Sequence, residues 1–187
     1  MLKRRSNMKT KDITQIALVT AITCILAPMS IQISIIPVTF TNLVIYLSAY
    51  ILGAKKATLS YTVYYILGII GLPVFSGFSG GFAKAFGPTG GFLAGFFATS
   101  FITGLFAEKF NKKPLQLLGM VIGTVIAYIL GALWYAFTAK TSIMQGFAVG
   151  VFPFVAVDLA KMLIALFLGS VLKKRIKGNT DQLISAS

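Results

Sequence analysis

Asp158 and Lys161 are the two side chains in this sequence best placed to do chemistry. They stand three residues apart in the apolar segment FPFVAVDLAK. If that segment is helical, the carboxylate and the ammonium share one face of the helix. Opposite charges buried in an apolar segment commonly mark a functional site. Together they could satisfy a small ligand that carries N–H donors, a carbonyl and its own carboxylate. The alternative is a self-satisfied ion pair that fixes the helix against its neighbours.

Other polar residues lie toward the same level of the chain's apolar segments. They are Thr39, Thr41 and Asn42 at the start of the second segment, and Ser76, Ser79 and Thr89 around a glycine-rich stretch. Apolar walls with a few convergent polar groups are typical of small-molecule pockets. Each residue alone is a weak signal, because Ser and Thr often bond only to the carbonyl four residues back.

The composition indicates a protein embedded in lipid. Of 187 residues, 57% are hydrophobic and 11% charged, and the mean hydropathy is +0.87, far too apolar for a water-soluble domain. There is no histidine, and Cys24 is the only cysteine. Disulfide frameworks and most metal or nucleophile-base chemistries are thereby excluded, and we expect neither a metal nor a cofactor. The remaining enzyme hypothesis, with Asp158 as an acid or base, lacks a partner nucleophile and a second buried carboxylate.

Apolar runs between charges and breakers predict an all-α membrane protein, a bundle of six transmembrane helices. Pro88 and Pro153 are expected at the first position of their helices, where a missing N–H costs nothing. The basic and then apolar start could also be a secretory signal, but no small-x-small cleavage site follows it. The six spans are Ile13–Met29, Ile35–Ala54, Ala57–Leu72, Pro88–Ala107, Leu115–Ala139 and Pro153–Leu172.

Cation placement predicts the orientation of these spans. With the N-terminus inside, 14 of the 17 Lys and Arg residues lie on the cytoplasmic side, only Lys84 and Lys140 lie outside, and Lys161 lies within a span. We therefore expect a multi-pass protein of the cell membrane with both termini in the cytoplasm. Residues 1–187 form a single membrane domain, with a basic segment at 1–12 and a cytoplasmic tail at 173–187. The net charge of +13 therefore indicates lipid headgroups and not nucleic acid.

The longest external connection is Gly71–Gly87, which reads GLPVFSGFSGGFAKAFG. It is too apolar for a solvated loop and too glycine-rich for a helix. We expect it to fold back over the outer mouth of the bundle as a lid, the alternative being a flexible connector.

Ala17 and Ala21 predict a second surface on the first span. Small residues four apart form a groove that lets another helix approach closely. Such a pattern is common by chance, and the partner helix could equally belong to this chain.

The stretch YYILGIIGLPVFSGFSGGFAKAFGPTGG, from Tyr64 to Gly91, resembles the BioY family, the biotin-specific S components of energy-coupling factor (ECF) transporters. The ordered elements GLPVF, SGG and GPTGG carry the resemblance. PVTFT at residues 37–41, GFFATSFITGLFAEK ending at Lys109 and FPFVAVDLAK ending at Lys161 extend it over most of the chain.

The resemblance implies a subunit that captures biotin on the external side for import driven by ATP. It implies binding to a transmembrane coupling protein and two ATPases, which use the ATP, with Ala17 and Ala21 in the contact. Asp158 and Lys161 are expected to help form the biotin site. The further candidates are Phe40, Thr41, Asn42, Tyr64, Ser79, Gly80, Gly81, Lys84 and Thr89. The alternative is an S component for another vitamin, such as thiamine or riboflavin.

The sequence departs from the family pattern near the expected site. Many members read PVPFTLQ where this chain reads PVTFTNL, so that Leu43 replaces a glutamine and Asn42 is the nearest amide. VAVDLAK stands where LPGDLLK is common, and Lys84 replaces what is often an aromatic residue. These changes leave open which ligand atoms Asp158, Lys161 and Lys84 would contact.

Overall fold

Apolar segments free of internal proline fold as helices through most of the chain. The structure, a computed structural model, describes residues 9–31 and 36–185, with side chains described as far as Arg175. The elements in these ranges are α1 (Thr10–Leu26), β1 (Ser30–Ile31), β2 (Val38–Thr39), α2 (Thr41–Leu52), α3 (Ala54–Ile69), α4 (Phe82–Ala85), α5 (Gly90–Lys109), α6 (Lys113–Thr138), α7 (Ile143–Gly150) and α8 (Val155–Ser185).

Three of the described helices are long and apolar enough to cross a membrane: α5, α6 and the Val155–Arg175 part of α8. The others are shorter, with 17 residues in α1, 12 in the apolar α2 and 16 in α3. At about 1.5 Å per residue, α1 and α3 are each about 25 Å long. The fold is therefore mostly helical and built around membrane-length helices.

The second predicted span is wrong in its first part. Ile35 lies outside the described residues, and Ile36 to Phe40 are not helical. Instead Val38 and Thr39 form β2, which pairs antiparallel with β1, Ser30 opposite Thr39. Pro37 disfavours helical backbone in the residue before it, and the β-branched pair that follows suits a strand. The helix begins only at Thr41, which leaves the polar start of α2 beside a short hairpin.

The two prolines expected at the first helical position lie just before their helices. Pro88 precedes Thr89, which caps α5, and Pro153 lies in a turn before α8. A short helix, α7, fills part of the connection that the sequence left without structure. The predicted tail at 173–187 is helical as far as Ser185, because nothing after Leu172 breaks α8.

Glycine permits close packing between α5 and α6, which form the most extensive helix pair of the bundle. A Cβ on Gly95 would lie 2.4 Å from the Ala127 Cα, and one on Gly123 would lie 2.8 Å from the Thr99 Cα. The Thr99 hydroxyl donates to the Gly123 carbonyl across this contact, at 2.9 Å. In lipid no hydrophobic effect draws helices together, so close packing of this kind stabilises the pair instead.

At one end of the bundle, acidic side chains lie among the basic ones. Asp12 forms an ion pair with Lys56 at 2.8 Å, which ties α1 to α3. The hydrogen bonds from Lys56 and from the Lys9 backbone hold the pKa of the Asp12 carboxyl below its ordinary value. Glu108 accepts from the Ala54 backbone N–H at 3.2 Å, at the tight corner where Gly53 adopts φ +81° between α2 and α3.

The glycine-rich connection packs against the opposite end. The Gly77 N–H donates to the Pro28 carbonyl at 3.0 Å, and the Gly81 N–H donates to the Gly68 carbonyl at 2.7 Å. Phe75, 1% exposed, lies edge-on against Tyr64. The sequence predicted a connection without a helix, but its second half includes the single turn of α4. This segment, residues 71–87, is called the outer loop below.

Candidate functional site

A cavity lies between the outer loop, one end of α2, α5 and α8, and the middle of α6. Some of its polar groups meet in one hydrogen-bonded cluster, others lie toward the outer loop, and the remaining surface is mostly aromatic and aliphatic. Its lining consists of Ile36, Pro37, Thr39, Thr41, Asn42, Tyr64, Phe75, Ser76, Lys84, Thr89, Phe92, Leu93, Phe96, Tyr128, Gly150, Phe154, Asp158 and Lys161.

Asp158 is the acceptor at the centre of the hydrogen-bonded cluster. It lies in the first turn of α8 and is 5% exposed. Its Oδ1 accepts from Asn42 Nδ2 at 2.6 Å and from Lys161 Nζ at 3.1 Å, and its Oδ2 accepts from the Tyr128 hydroxyl at 2.8 Å. One carboxylate thus joins α2, α6 and α8.

Lys161 is the matching donor, one helical turn further along α8 and 8% exposed. Its Nζ donates to the Thr39 carbonyl at 2.8 Å, to Asn42 Oδ1 at 2.9 Å and to Asp158. An ammonium has three N–H donors, and these three acceptors satisfy all of them. The pair is therefore satisfied by neighbouring groups as well as by its own bond, and it also lines the cavity.

Aromatic rings supply the walls. Phe92 and Phe96 come from one face of α5 at helical spacing, and Phe154 comes from the turn that precedes α8. Phe75 of the outer loop and Tyr64 of α3 close the far side. Aromatic faces offer large, rigid contact area to a flat ring. The cavity therefore combines a charged, hydrogen-bonding floor with walls suited to a small bicyclic or cyclic ligand.

A second, more polar space of about 440 Å³ adjoins the first on the side of the outer loop. Four residues line both spaces: Pro37, Ser76, Lys84 and Thr89. The inner cavity itself encloses about 80 Å³, whereas pockets for drug-sized ligands measure about 300–1,000 Å³. A drug-sized ligand therefore needs the lining to move, or must extend into the adjoining space.

The structure brings most of the predicted site residues together. Asp158, Lys161, Thr41, Asn42, Tyr64, Lys84 and Thr89 line the inner cavity, and Ser79 lines the outer space.

Phe40, Gly80 and Gly81 line neither space. Phe40 precedes α2 and is 40% exposed. The two glycines serve the outer loop: a Cβ on Gly80 would lie 2.2 Å from the Leu72 carbonyl oxygen, and Gly81 has φ +88°. Their contribution to the site is to let the loop fold against α3.

Tyr128 is the residue that the sequence analysis missed. It lies in the middle of α6, half-buried, and holds the second oxygen of Asp158. A tyrosine inside an apolar span needs a partner for its hydroxyl, and that signal could have found it. The facing phenylalanines had no such signal, since Phe is frequent in any membrane helix.

Ala17 and Ala21 are exposed on α1, whose buried face is Ile16, Thr20 and Thr23. The two alanines therefore do not pack within this chain. Among the described residues, no group of three or more His, Cys, Asp or Glu side chains could hold a metal ion.

Comparisons with known proteins agree with the family resemblance of the sequence. Residues 2–178 match the model of the BioY family. The chain is 38% identical over 164 residues to the biotin transporter BioY of Thermotoga maritima, covering 88% of this chain and 96% of that one. It is 35% identical over 173 residues to the probable biotin transporter BioY of Pyrococcus horikoshii, covering 92% and 100%.

A solved structure is also similar. The S-component for biotin from an ECF-type ABC transporter superposes with a TM-score of 0.81 at 26% identity. The similarity covers 90% of this chain and 95% of that one.

Proposed function

The chain belongs to the BioY family, and from this membership and the cavity we propose that it is the membrane subunit that captures biotin for ATP-driven import. It is a transporter component and not an enzyme. Thiamine and riboflavin, the alternative vitamins, are not favoured, because the relatives at 38% and 35% identity are biotin transporters.

The observation that carries the proposal is the Asp158–Lys161 pair on the floor of an aromatic-walled cavity. The ureido ring of biotin presents two N–H donors and one carbonyl acceptor. A carboxylate is acceptor-only and an ammonium is donor-only, so the pair complements both kinds of group. Charge-assisted hydrogen bonds in a water-poor site are roughly twice as strong as neutral ones. Asp158 accepts from the ring N–H groups, and Lys161 donates to a ligand oxygen.

The valerate carboxylate of biotin has two candidate cations. If the tail points outward, Lys84 is the nearer one, since it lines both the inner cavity and the polar outer space. Thr89 lines the same two spaces and offers a hydroxyl donor, whereas the Ser79 hydroxyl already donates to the Ser76 carbonyl at 2.7 Å. If the tail points inward, Lys161 meets the carboxylate instead.

The same proposal extends to the membrane and the partners. Six spans with both termini in the cytoplasm place the outer loop and the cavity on the external side. Ala17 and Ala21 provide the groove for a transmembrane coupling protein, which joins two ATPases. The exposed side of α1 and the basic end of the bundle support this arrangement.

Equilibrium titration of the detergent-purified chain with biotin, thiamine and riboflavin tests the function. We expect saturable binding of biotin and no binding of thiamine or riboflavin. The Asp158→Asn protein should bind biotin on the order of a hundredfold more weakly, because a loss of about 3 kcal/mol is typical when one member of a buried charge pair is removed.

Asp12→Asn is the matched control: it makes the same chemical change at the ion pair of the opposite end, and its biotin affinity should equal that of the parent. Parent protein that binds thiamine or riboflavin instead of biotin would refute the function. Undiminished biotin affinity in Asp158→Asn would refute only the ureido assignment.

A further inference from the structure

The carboxamide of Asn42 lies between the two charges of the site. Its Nδ2 donates to Asp158 Oδ1 at 2.6 Å, and its Oδ1 accepts from Lys161 Nζ at 2.9 Å. The side chain is 5% exposed. Chemistry fixes the orientation of this amide, because a carboxylate cannot donate and an ammonium cannot accept. Asn42 therefore presents N–H to Asp158 and C=O to Lys161 at the same time.

A primary carboxamide and a ureido group present the same pair of functions. Each has a carbonyl oxygen and an adjacent N–H in one plane. We propose that Asn42 is an internal surrogate for the ureido group, and that a ureido ligand binds by taking over its two hydrogen bonds. This inference rests on the proposed function and adds a specificity-determining residue to it.

The rest of the network keeps both charges paired during such an exchange. Lys161 keeps its hydrogen bond to the Thr39 carbonyl, and Asp158 keeps the hydrogen bond that it accepts from the Tyr128 hydroxyl. For two bonds that Asn42 gives up, the ligand supplies one N–H and one carbonyl oxygen. Neither charge loses a partner during the exchange, so the large penalty of an unpaired buried ion does not arise.

The exchange also selects among ligands. A ligand with only an acceptor would free Lys161 from Asn42 but leave Asp158 short of a donor. A ligand with only a donor would leave Lys161 short of an acceptor. Only a molecule with both groups at amide spacing replaces Asn42 fully, and unpaired buried polar groups disfavour all others.

The consequence is that Asn42 competes with the ligand. Its removal should tighten biotin binding, whereas removal of an ordinary ligand contact weakens binding. Two variants test this, Asn42→Ala and Asn42→Leu, the second keeping the branched shape of the side chain in case the first leaves a cavity. Equilibrium binding of radiolabelled biotin to detergent-purified protein should show a Kd about tenfold lower for both, the change typical of one hydrogen bond to a charged group.

Tyr128→Phe is the contrasting variant. Tyr128 also bonds to Asp158, but its hydroxyl only donates there and cannot imitate a carbonyl and N–H pair. Its loss should weaken biotin binding. Desthiobiotin, which keeps the ureido ring and lacks the sulfur ring, should show the same gain as biotin in the Asn42 variants.

Weaker or unchanged biotin binding in both Asn42 variants would overturn the inference while leaving the function intact. So would equal tightening in Tyr128→Phe, since the gain would then reflect general loosening of the site. Failure of the parent protein to bind biotin is a separate result, because it would contradict the proposed function itself.

Discussion

Asp158 and Lys161 show what a membrane interior demands of buried charges. Transfer of an ion from water costs several kcal/mol, and mutual attraction offsets this only when the remaining donors and acceptors are also satisfied. Each of the two groups has three protein hydrogen bonds, drawn from α2, α6, α8 and the end of β2. Their positions are thereby fixed, which reduces the ordering that a ligand must impose.

Lys84 differs from Lys161 in this respect. In the described part of the chain, neither a hydrogen bond nor an ion pair engages its ammonium, and the side chain is half-buried between the two spaces. An unengaged cation at that boundary is suited to a carboxylate that points outward.

We therefore expect Lys84→Ala to reduce biotin affinity on the order of tenfold, since a partly buried charge-assisted bond contributes about 1.5 kcal/mol. The affinity for biotin amide should change little. A parallel titration of the two ligands against parent and variant measures the preference directly.

Lys140→Ala is the matched control, because Lys140 is the other cation predicted on the outer side and is exposed. It should leave both affinities unchanged. If Lys161→Ala, and not Lys84→Ala, abolishes the preference for biotin over its amide, the carboxylate lies at the inner end of the cavity.

Sequence alone predicted the charged centre of the site because charges are rare in this chain. An Asp and a Lys inside an apolar run stand out against their surroundings. The partners of that pair depend on how helices are rotated against one another, which no single segment encodes. Tyr128 and Asn42 are 30 and 116 residues from Asp158 in sequence, and Phe40 and Thr41 are neighbours of which only Thr41 lines the cavity.

At the level of elements, the short α2 is the largest departure from expectation. Its predicted span began at Ile35, but the helix begins six residues later. β2 lies within that length, and it places the Thr39 carbonyl within reach of Lys161. A full-length second helix would have engaged that carbonyl in its own backbone ladder. The late start of α2 therefore leaves this β2 carbonyl free to accept from Lys161.

The exposed face of α1 carries the proposed contact with the coupling protein, whereas its buried face packs within the chain. Replacement of Ala17 or Ala21 by Phe should lower biotin uptake into cells that carry the full transporter on the order of tenfold or more. The biotin affinity of the isolated subunit should stay within about twofold. The reason is that a large side chain blocks close approach by another helix, whereas the packed face of α1 is untouched.

Leu133→Phe provides the control, because Leu133 is 44% exposed on α6 and the substitution enlarges an apolar surface side chain elsewhere. Uptake should be normal in that protein. Equal losses of uptake and of biotin affinity in the alanine variants would show that the coupling surface and the binding site are not separate.

For the whole molecule, the distribution of cations identifies two unlike ends. Contacts such as Lys56 with Asp12 and Lys173 with the Ala107 carbonyl show that the basic helix ends lie together. The cavity, the outer loop and Lys84 lie at the other end. Lys and Arg near short loops favour the cytoplasmic side.

A topology experiment tests this orientation. A reporter fused after Gln182 and one inserted at Asn111, in the turn between α5 and α6, should both be active only in the cytoplasm. A reporter inserted between Ser76 and Lys84 should be active only outside. An externally active fusion after Gln182 would contradict the even number of spans.

The membrane-embedded helical fold followed from composition and from the apolar runs, since lipid permits few alternatives to helices. The ends of the helices were harder to predict. The helices α3 and α5 are shifted from their predicted spans by up to three residues, and the one-turn α4 and the eight-residue α7 were not expected. Short elements of this kind owe their existence to contacts with the rest of the bundle, such as the packing of Gly146 against Ala132.

Trp134 gives the protein an optical property of its own. It is the only tryptophan in the chain, and its indole Nε1 donates to the Gly87 carbonyl at 2.9 Å, at the end of the outer loop. Indole emission responds to the loss of such a hydrogen bond and to a change in the polarity around the ring. Displacement of the loop is therefore coupled to the intrinsic fluorescence, and its motion can be followed in real time without any attached dye.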